Sequence, residues 1–320
     1  MGIDLGGTNI KGGVVDGTGR ALCRVSIPTE AAEGPEAVAD RMAEVARQAV
    51  RKSGATWRRV RAVGIGSPGT MDIPAGIVLE PPNLPGWRDV PLRDMVAQRL
   101  GVESHLENDA NAAAYGEFWV GAGKRVSSLV MFTLGTGIGG GIVVDGKLVD
   151  GAHSCSAEVG HHCIQMDNGR RCACGRIGCL EAYASATAVV KRTGEALAAG
   201  ARSSLSKLRR RGERITAKAV FDAAYAGDRL GRRIVAETAR YLAIGAVNLI
   251  HIVNPEMVVY TGGMTAAGKP FLDAIGTHIR ALAFEVPAAK TRVVYAKLGD
   301  SAGFIGAAGW AKKQYETSRS

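Results

Sequence analysis

Aromatic residues are scarce in this sequence, at 5% of the chain, and the 30 acidic residues are outnumbered by 40 Lys and Arg. A surface for single-stranded nucleic acid stacks bases on aromatic rings along a basic groove. The densest basic stretch, Arg202, Lys207, Arg209, Arg210, Arg211 and Arg214 with Glu213 as its one acid, contains no aromatic residue. It reads as a solvated loop and helix face, and no nucleic-acid partner is expected. Also missing is any apolar run long enough to span a bilayer, and the first residues show no secretory signal. No membrane is expected, and the expected location is the cytoplasm. Six cysteines in 320 residues do not make a disulfide framework. None of them is spaced Cys-x-x-Cys, which removes the usual redox motif. A Gly-x4-Gly-Lys-Ser/Thr phosphate loop is absent as well.

What is abundant is glycine, 43 residues, in a chain that is 46% apolar. That combination suits the tight turns and close backbone approaches of nucleotide-binding α/β proteins. The length exceeds what one core absorbs, so two domains are expected. Periodicity predicts helices over 35–52, 91–100, from Ala110 onward, 181–199, 216–226, 230–252, 271–284 and 301–315. Strands are predicted over 61–65, 102–106, 128–134, 142–144, 256–261 and 291–298. Residues 3–17 read as strand, glycine turn and strand, while Gly66 to Gly69 and the Pro-rich stretch from Glu80 to Trp87 read as loops. Residues 134–146 repeat residues 5–17 at seven of thirteen positions: Leu5/Leu134, Gly6/Gly135, Gly12/Gly141, Val14/Val143, Val15/Val144, Asp16/Asp145 and Gly17/Gly146. Two related halves, each opening with a glycine hairpin, are expected.

Four constellations carry chemistry. Asp4-Leu5-Gly6-Gly7-Thr8-Asn9-Ile10-Lys11 offers unhindered backbone amides, a hydroxyl, a cation and a carboxylate able to hold a metal-bound water, a set suited to a triphosphate with magnesium. Gly135-Thr136-Gly137-Ile138-Gly139-Gly140 satisfies the dinucleotide spacing, but a strand follows it and not the helix that a pyrophosphate needs. Two matched glycine hairpins point instead to phosphates, with Gly262-Gly263 as a third close approach, to the nucleoside. Asp109, between a strand and Ala110-Asn111-Ala112-Ala113-Ala114, reads as a helix N-cap or as a general base for phosphoryl transfer, where positioning outweighs basicity. Finally, Cys172, Cys174 and Cys179, with His161 or His162 across a turn at Asp167-Asn168-Gly169, form the ligand set of a closed tetrahedral zinc site.

Asp4 to Lys11, Glu107-Asn108-Asp109-Ala110-Asn111, Leu134 to Gly141, Glu158-x-Gly-His161 and Cys172-x-Cys-Gly-x-x-Gly-Cys179-x-Glu181, in this order, resemble the ROK family of sugar kinases and repressors over nearly the whole chain. The resemblance implies an α/β, two-domain, actin-like ATPase fold with a ribonuclease-H-like core, binding sugar and ATP in the interdomain cleft. Its domains would be 1–109 with 301–320, and 110–300 carrying the zinc site. It implies phosphorylation of a hexose 6-hydroxyl, glucose first, because Cys179 to Ala188 looks like the glucokinase version of the segment. N-acetylmannosamine, N-acetylglucosamine or fructose as substrate, or a sugar-responsive regulator, are the alternatives within the family, and the positive charge raises polyphosphate as an alternative donor. By the resemblance, Asp109 is the base; Gly69, Asn83, Asn108, Asp109, Glu158, His161 and Glu181 bind sugar; Asp4, Gly6, Gly7, Thr8, Asn9, Lys11, Gly135, Thr136, Gly137, Gly262 and Gly263 line the ATP and Mg2+ site. A homodimer or homotetramer is implied too. The family usually spaces its histidine ten positions before the first cysteine, whereas His161 stands eleven before Cys172 and His162 ten. Keeping Glu-x-Gly-His intact selects His161 as ligand beside Cys172, Cys174 and Cys179, with one residue inserted in the Met166 to Gly169 turn.

Overall fold

The structure, a computed structural model, describes residues 1–81 and 83–319; Pro82, within the Pro-rich stretch, lies outside the described residues. The first half contains β1 (Gly2–Leu5), β2 (Asn9–Gly13), β3 (Val25–Pro28), α1 (Gly34–Ser53), β4 (Val63–Ser67), β5 (Thr70–Asp72), β6 (Ile77–Glu80), α2 (Leu92–Leu100), β7 (Ser104–Asn108) and α3 (Asp109–Trp119). Then come β8 (Leu129–Leu134), β9 (Ile138–Val144), β10 (Lys147–Leu148), α4 (Glu181–Ala184), α5 (Ala186–Ala198), α6 (Ser206–Arg210), α7 (Ala217–Tyr225), α8 (Arg229–Val253), β11 (Met257–Thr261), α9 (Lys269–Leu282), α10 (Glu285–Lys290), β12 (Arg292–Tyr295) and α11 (Ala302–Thr317).

Two five-stranded sheets have the same plan, β3-β2-β1-β4-β7 and β10-β9-β8-β11-β12. β1, β4 and β7 run parallel, as do β8, β11 and β12. The repeat read from residues 5–17 and 134–146 is therefore a repeat of topology, with β1 and β8 in the same place. By contacts the chain divides into two units: Met1–Ser128 with Gly141–Ala157 and Lys297–Ser320, and Leu129–Gly140 with Glu158–Ala296.

In the first unit, α1 buries Val38, Met42, Val45, Ala46 and Ala49, the three-and-four spacing of one helix face, against Ile3, Ile10, Val63 and Ile65. Pro35 at its start and Gly54 at its end, with φ +70°, set its limits. The last helix, α11, lies directly on strand backbone. A Cβ at Gly2 would stand 1.7 Å from the Phe304 carbonyl oxygen, and one at Gly64 1.9 Å from that of Ala307. These two glycines are there for close approach, not for turning.

Several expectations need correction. Gly66 and Ser67 do not form a loop: β4 runs on to Ser67 because parallel neighbours pair with it on both sides. The helix over 181–199 breaks at Ser185, whose hydroxyl accepts from Ala188 N and caps α5. β7 extends through Asn108, and it is Asn108, not Asp109, that caps α3. β3, β5, β6, β10 and α10 carry too few residues for a periodic signal and were not foreseen, while α6 falls in the basic stretch read as loop and helix face. His162 to Ile164 pairs with Gly178 to Leu180, and Arg170 to Cys172 pairs with the same central segment on its other side. The histidine thus reaches the cysteines through a three-stranded ribbon, not across a simple hairpin at Asp167 to Gly169.

Candidate active site and metal centre

In open α/β sheets, ligands sit at the carboxyl ends of the parallel strands. In the first unit, register brings Asp4, Gly66 and Glu107 to one level across β1, β4 and β7, with Ser67 opposite Asn108 one step further. The sequence-predicted Asp4, Asn108 and Asp109 therefore share one sheet edge, although 104 positions separate Asp4 from Asn108.

Asp4 faces Lys11 across the β1–β2 hairpin, and Gly303 in the first turn of α11 makes room for its carboxylate. Burial raises the Asp4 pKa, with Lys11 opposing. Between these strands Gly6 N donates to Asn9 O at 3.0 Å, leaving Gly7, Thr8 and Asn9 exposed. Thr29, fully buried and missed by sequence reasoning, locks this turn from behind. Its hydroxyl donates to Gly6 O at 2.6 Å, and its amide donates to Thr8 O at 2.9 Å. With those carbonyls engaged, the exposed face of the turn is left to amides. Asn83 packs against Gly7, where an added Cβ would stand 3.0 Å from the Asn83 Cβ, so a predicted sugar ligand meets the predicted phosphate turn. Gly69 needs its freedom, with φ +94° and Pro81 2.5 Å from a would-be Cβ.

Asn108 Oδ1 accepts from Ala110 N at 2.9 Å and Asn111 N at 3.2 Å. Its amide nitrogen remains as the donor for a hydroxyl. Asp109 occupies the first helical position, partly buried, with Oδ1 accepting from Ala110 N at 2.8 Å. Its carboxylate lies at the positive end of α3. Glu107 behind them is wholly buried. Its Oε1 accepts from Asn108 N at 2.8 Å and Asn111 Nδ2 at 3.0 Å, while its Oε2 has no partner among the described residues. Burial, reinforced by Asp150, pushes its pKa up to about 8.

In the second unit, the β8–β9 turn is closed by Gly135 N donating to Gly137 O at 3.0 Å. Thr133 Oγ1 accepts from Gly139 N at 3.1 Å. A Cβ at Gly135 or Gly263 would meet no protein atom within 4 Å. The fold itself thus does not demand glycine there, whereas Gly262 has φ +93° and presses on Leu134. Thr136, between these glycines, is exposed. Glu181 ties this turn to the cysteine ribbon: its Oε2 accepts from Ile138 N at 2.9 Å, Gly137 makes room for it, and its Oε1 lies 3.4 Å from Cys172 Sγ. Glu158 O accepts from His161 N at 2.9 Å, and Gly160 allows this turn to press on Ile138. Glu158, His161 and Glu181 are thereby gathered beside the glycine turn.

Donor atoms of His161, Cys172, Cys174 and Cys179 all lie within 4.8 Å of one another. Cys172 Sγ is 3.7 Å from His161 Nδ1, and Cys174 Sγ is 3.7 Å from Cys179 Sγ. A tetrahedron with metal–sulfur bonds near 2.3 Å has edges of about 3.8 Å, so this donor set fits a closed tetrahedral ion. Burial pushes the Cys172 thiol up to about 12 and raises Cys179, while the Arg176 amide lowers Cys174. A metal must therefore displace protons to bind. His162 is excluded from this set: it packs on Gly245 in α8, and neither ring nitrogen finds a well-formed hydrogen bond. Burial lowers its pKa, with the Val159 carbonyl opposing.

Among the described residues, no helix is long and apolar enough to cross a membrane. The basic residues from Arg202 to Arg214 are exposed, on and around α6.

Comparison with known proteins agrees with this geometry. The ROK family profile matches residues 1–314. The chain is 40% identical over 314 residues to a glucokinase of Thermotoga maritima, covering 98% of this chain and 97% of that one. It is 32% identical over 306 residues to a xylose repressor of Caldicellulosiruptor bescii, covering 96% of this chain and 76% of the repressor. Among solved structures, a ROK family glucokinase from Streptomyces griseus in complex with glucose and AMPPNP superposes with a TM-score of 0.78 at 35% identity, covering 98% of both chains. The twin sheets are those of the actin-like ATPase fold of these sugar kinases. With its family profile spanning residues 1–314, the chain belongs to the ROK family.

Proposed function

We propose that this chain is an ATP-dependent hexokinase of the glucokinase type, transferring a phosphoryl group from ATP to the 6-hydroxyl of glucose. The observation that carries the reading is the strand register of the first unit, which sets Asp4 and the Asn108-Asp109 pair on one sheet edge. Asp109 takes the proton of the 6-hydroxyl, and Asn108 orients the sugar by its amide. Phosphoryl transfer through a loose transition state asks mainly for placement and charge neutralisation. A carboxylate fixed at a helix start, its capping duty carried by Asn108, is suited to that task. Lys11 and the amides of Gly7 and Thr8 receive phosphate oxygens. Asp4 would hold Mg2+, which neutralises phosphate charge when bound. In the second unit, Glu158, His161 and Glu181 address sugar hydroxyls, and Gly135, Thr136, Gly137, Gly262 and Gly263 accept the nucleotide. The unfilled space at Gly135 and Gly263 supports that role.

Zn2+ would be held by His161, Cys172, Cys174 and Cys179. Bound there, it would fix the ring and tautomer of His161 and hold the ribbon that presents Glu181. It takes no part in the transfer.

The test is Asp109→Asn, assayed by coupled ADP release with glucose and by calorimetry. Loss of turnover by at least about 100-fold, with glucose and ATP still binding, is expected. Near-normal turnover would remove Asp109 from the mechanism. Running the wild type against N-acetylmannosamine, N-acetylglucosamine and fructose in the same assay fixes the substrate.

A further inference from the structure

Cys163 lies outside the metal-ligand set, yet the backbone hydrogen bonds place it directly opposite a ligand. Ile164 N donates to Gly178 O at 2.8 Å, and Leu180 N donates to His162 O at 3.1 Å. These two bonds flank the antiparallel bridge between Cys163 and Cys179. Cys163 and Cys179 are therefore a non-hydrogen-bonded cross-strand pair, the kind whose Cα atoms stand about 4.5 Å apart with both side chains on one face. That separation lies inside the roughly 4.4–6.8 Å window of disulfides. Access differs sharply between the two: Cys163 is exposed and Cys179 buried. The Cys163 sulfur sits over Gly178, where an added Cβ would be 2.8 Å from it. It lies 3.3 Å from Gln165 O, and a bond to the Cys179 sulfur requires it to leave that contact.

We propose that Cys163 and Cys179 form a redox-sensitive pair, in which peroxide converts Cys179 from a metal ligand into half of a disulfide and opens the zinc site. The inference rests on the zinc reading given above. The Cys163 thiolate attacks a peroxide oxygen; the S–O bond forms, the O–O bond breaks, and the departing hydroxide takes up a proton to leave as water. The Cys179 thiolate then attacks the resulting sulfenic sulfur; the S–S bond forms, the S–O bond breaks, and a second water leaves. The two sulfurs together lose two electrons, the peroxide gains two, and Zn2+ keeps its oxidation state. A disulfide sulfur is neutral and no longer a zinc ligand of thiolate strength, so the ion is left with His161, Cys172 and Cys174. Thiol-based reduction reverses the step.

The experiment treats the full-length zinc-loaded protein with hydrogen peroxide. Released zinc is followed with a chromogenic chelator, and disulfides are mapped by mass spectrometry after alkylation. A Cys163–Cys179 linked peptide is expected to rise with zinc release, and release from Cys163→Ser is expected to be roughly tenfold slower. Dithiothreitol with added zinc should restore the starting state. Equal release from both proteins, or a Cys174–Cys179 link with Cys163 still open to alkylation, would overturn the proposal. Reduced protein that purifies without zinc would sink the metal reading separately, because the disulfide map of that protein still decides the cysteine pairing.

Discussion

Glu107 shows how one buried atom sets the behaviour of the residues around it. Its Oε1 receives two donors, whereas its Oε2, the Asn111 Oδ1 and the Asp150 Oδ1 have none among the described residues. All three are acceptors, and a protonated Glu107 supplies the O–H donor that this group lacks. Burial and Asp150 push its pKa up to about 8, above the ordinary value, while Asp150 is itself raised by burial with Lys313 opposing. The folded state therefore holds the proton more tightly than the unfolded chain. That stabilisation is fully present below the unfolded pKa and is lost as pH rises through the folded one, at a slope of up to about 1.4 kcal/mol per pH unit. Glu107→Gln keeps the accepting oxygen and carries its own donor at every pH. Thermal unfolding between about pH 5 and pH 9 should show the wild type falling steadily and the variant far flatter, with the variant the more stable at the alkaline end. Parallel curves would show that Glu107 is ionised in the folded protein. Nothing in the sequence announced this role: Glu-Asn-Asp reads as three polar residues, and only the tertiary fold buries the first. Thr29 was equally silent, since its partners Gly6 and Thr8 lie more than twenty positions away. Asp4 and the cysteines stood out because their chemistry is unusual for a plain turn, whereas Asp109 read equally as a helix cap and Asn108 came from the family resemblance alone.

Among the elements, legibility followed length. The faces of α1 and α8 repeat over 20 and 25 residues, and both were readable from periodicity. β10 has two residues and α10 six, too few for any period to emerge. The ribbon around the cysteines has almost no apolar face of its own, since Met166 and Ile177 are exposed. Backbone pairing and the Arg170 N to Tyr183 hydroxyl bond hold it, and an ion on the four donors would couple metal binding to its folding. His161→Ala should lose bound zinc and loosen the ribbon. His162→Ala should retain the metal, because its ring packs on Gly245 and offers no nitrogen to the cluster; its cost is a cavity against α8. Metal analysis after gel filtration reads both variants. Retention in His161→Ala with loss in His162→Ala would reassign the ligand and shorten the Met166 to Gly169 insertion to nothing.

Over the whole molecule the dominant quantity is charge, a formal +10 with a sequence pI near 9.5. Much of the surplus is concentrated in the exposed stretch from Arg202 to Arg214. Of its cations Arg211 has an acidic partner within the described residues, Glu213 at 3.9 Å, with both side chains more than half exposed. An ion pair of that kind neutralises little. Such a field attracts a polyanion such as ATP at long range and so raises encounter rates, without entering the chemical step. Raising salt from about 0.01 M to 0.15 M shortens the screening length from about 30 Å to about 8 Å. In coupled ADP release, kcat/KM for ATP should therefore fall several-fold over that range while kcat holds nearly constant. Replacing Arg209, Arg210 and Arg211 together by Gln should flatten the dependence. Polyphosphate, used in place of ATP, should benefit from the same attraction but lacks the nucleoside proposed to lie against Gly263, where an added Cβ would meet open space, so its turnover should be far the lower of the two. A kcat that falls in step with kcat/KM would place the charge effect in the transfer itself and contradict a steering role; polyphosphate matching ATP would shift the donor assignment away from the nucleotide.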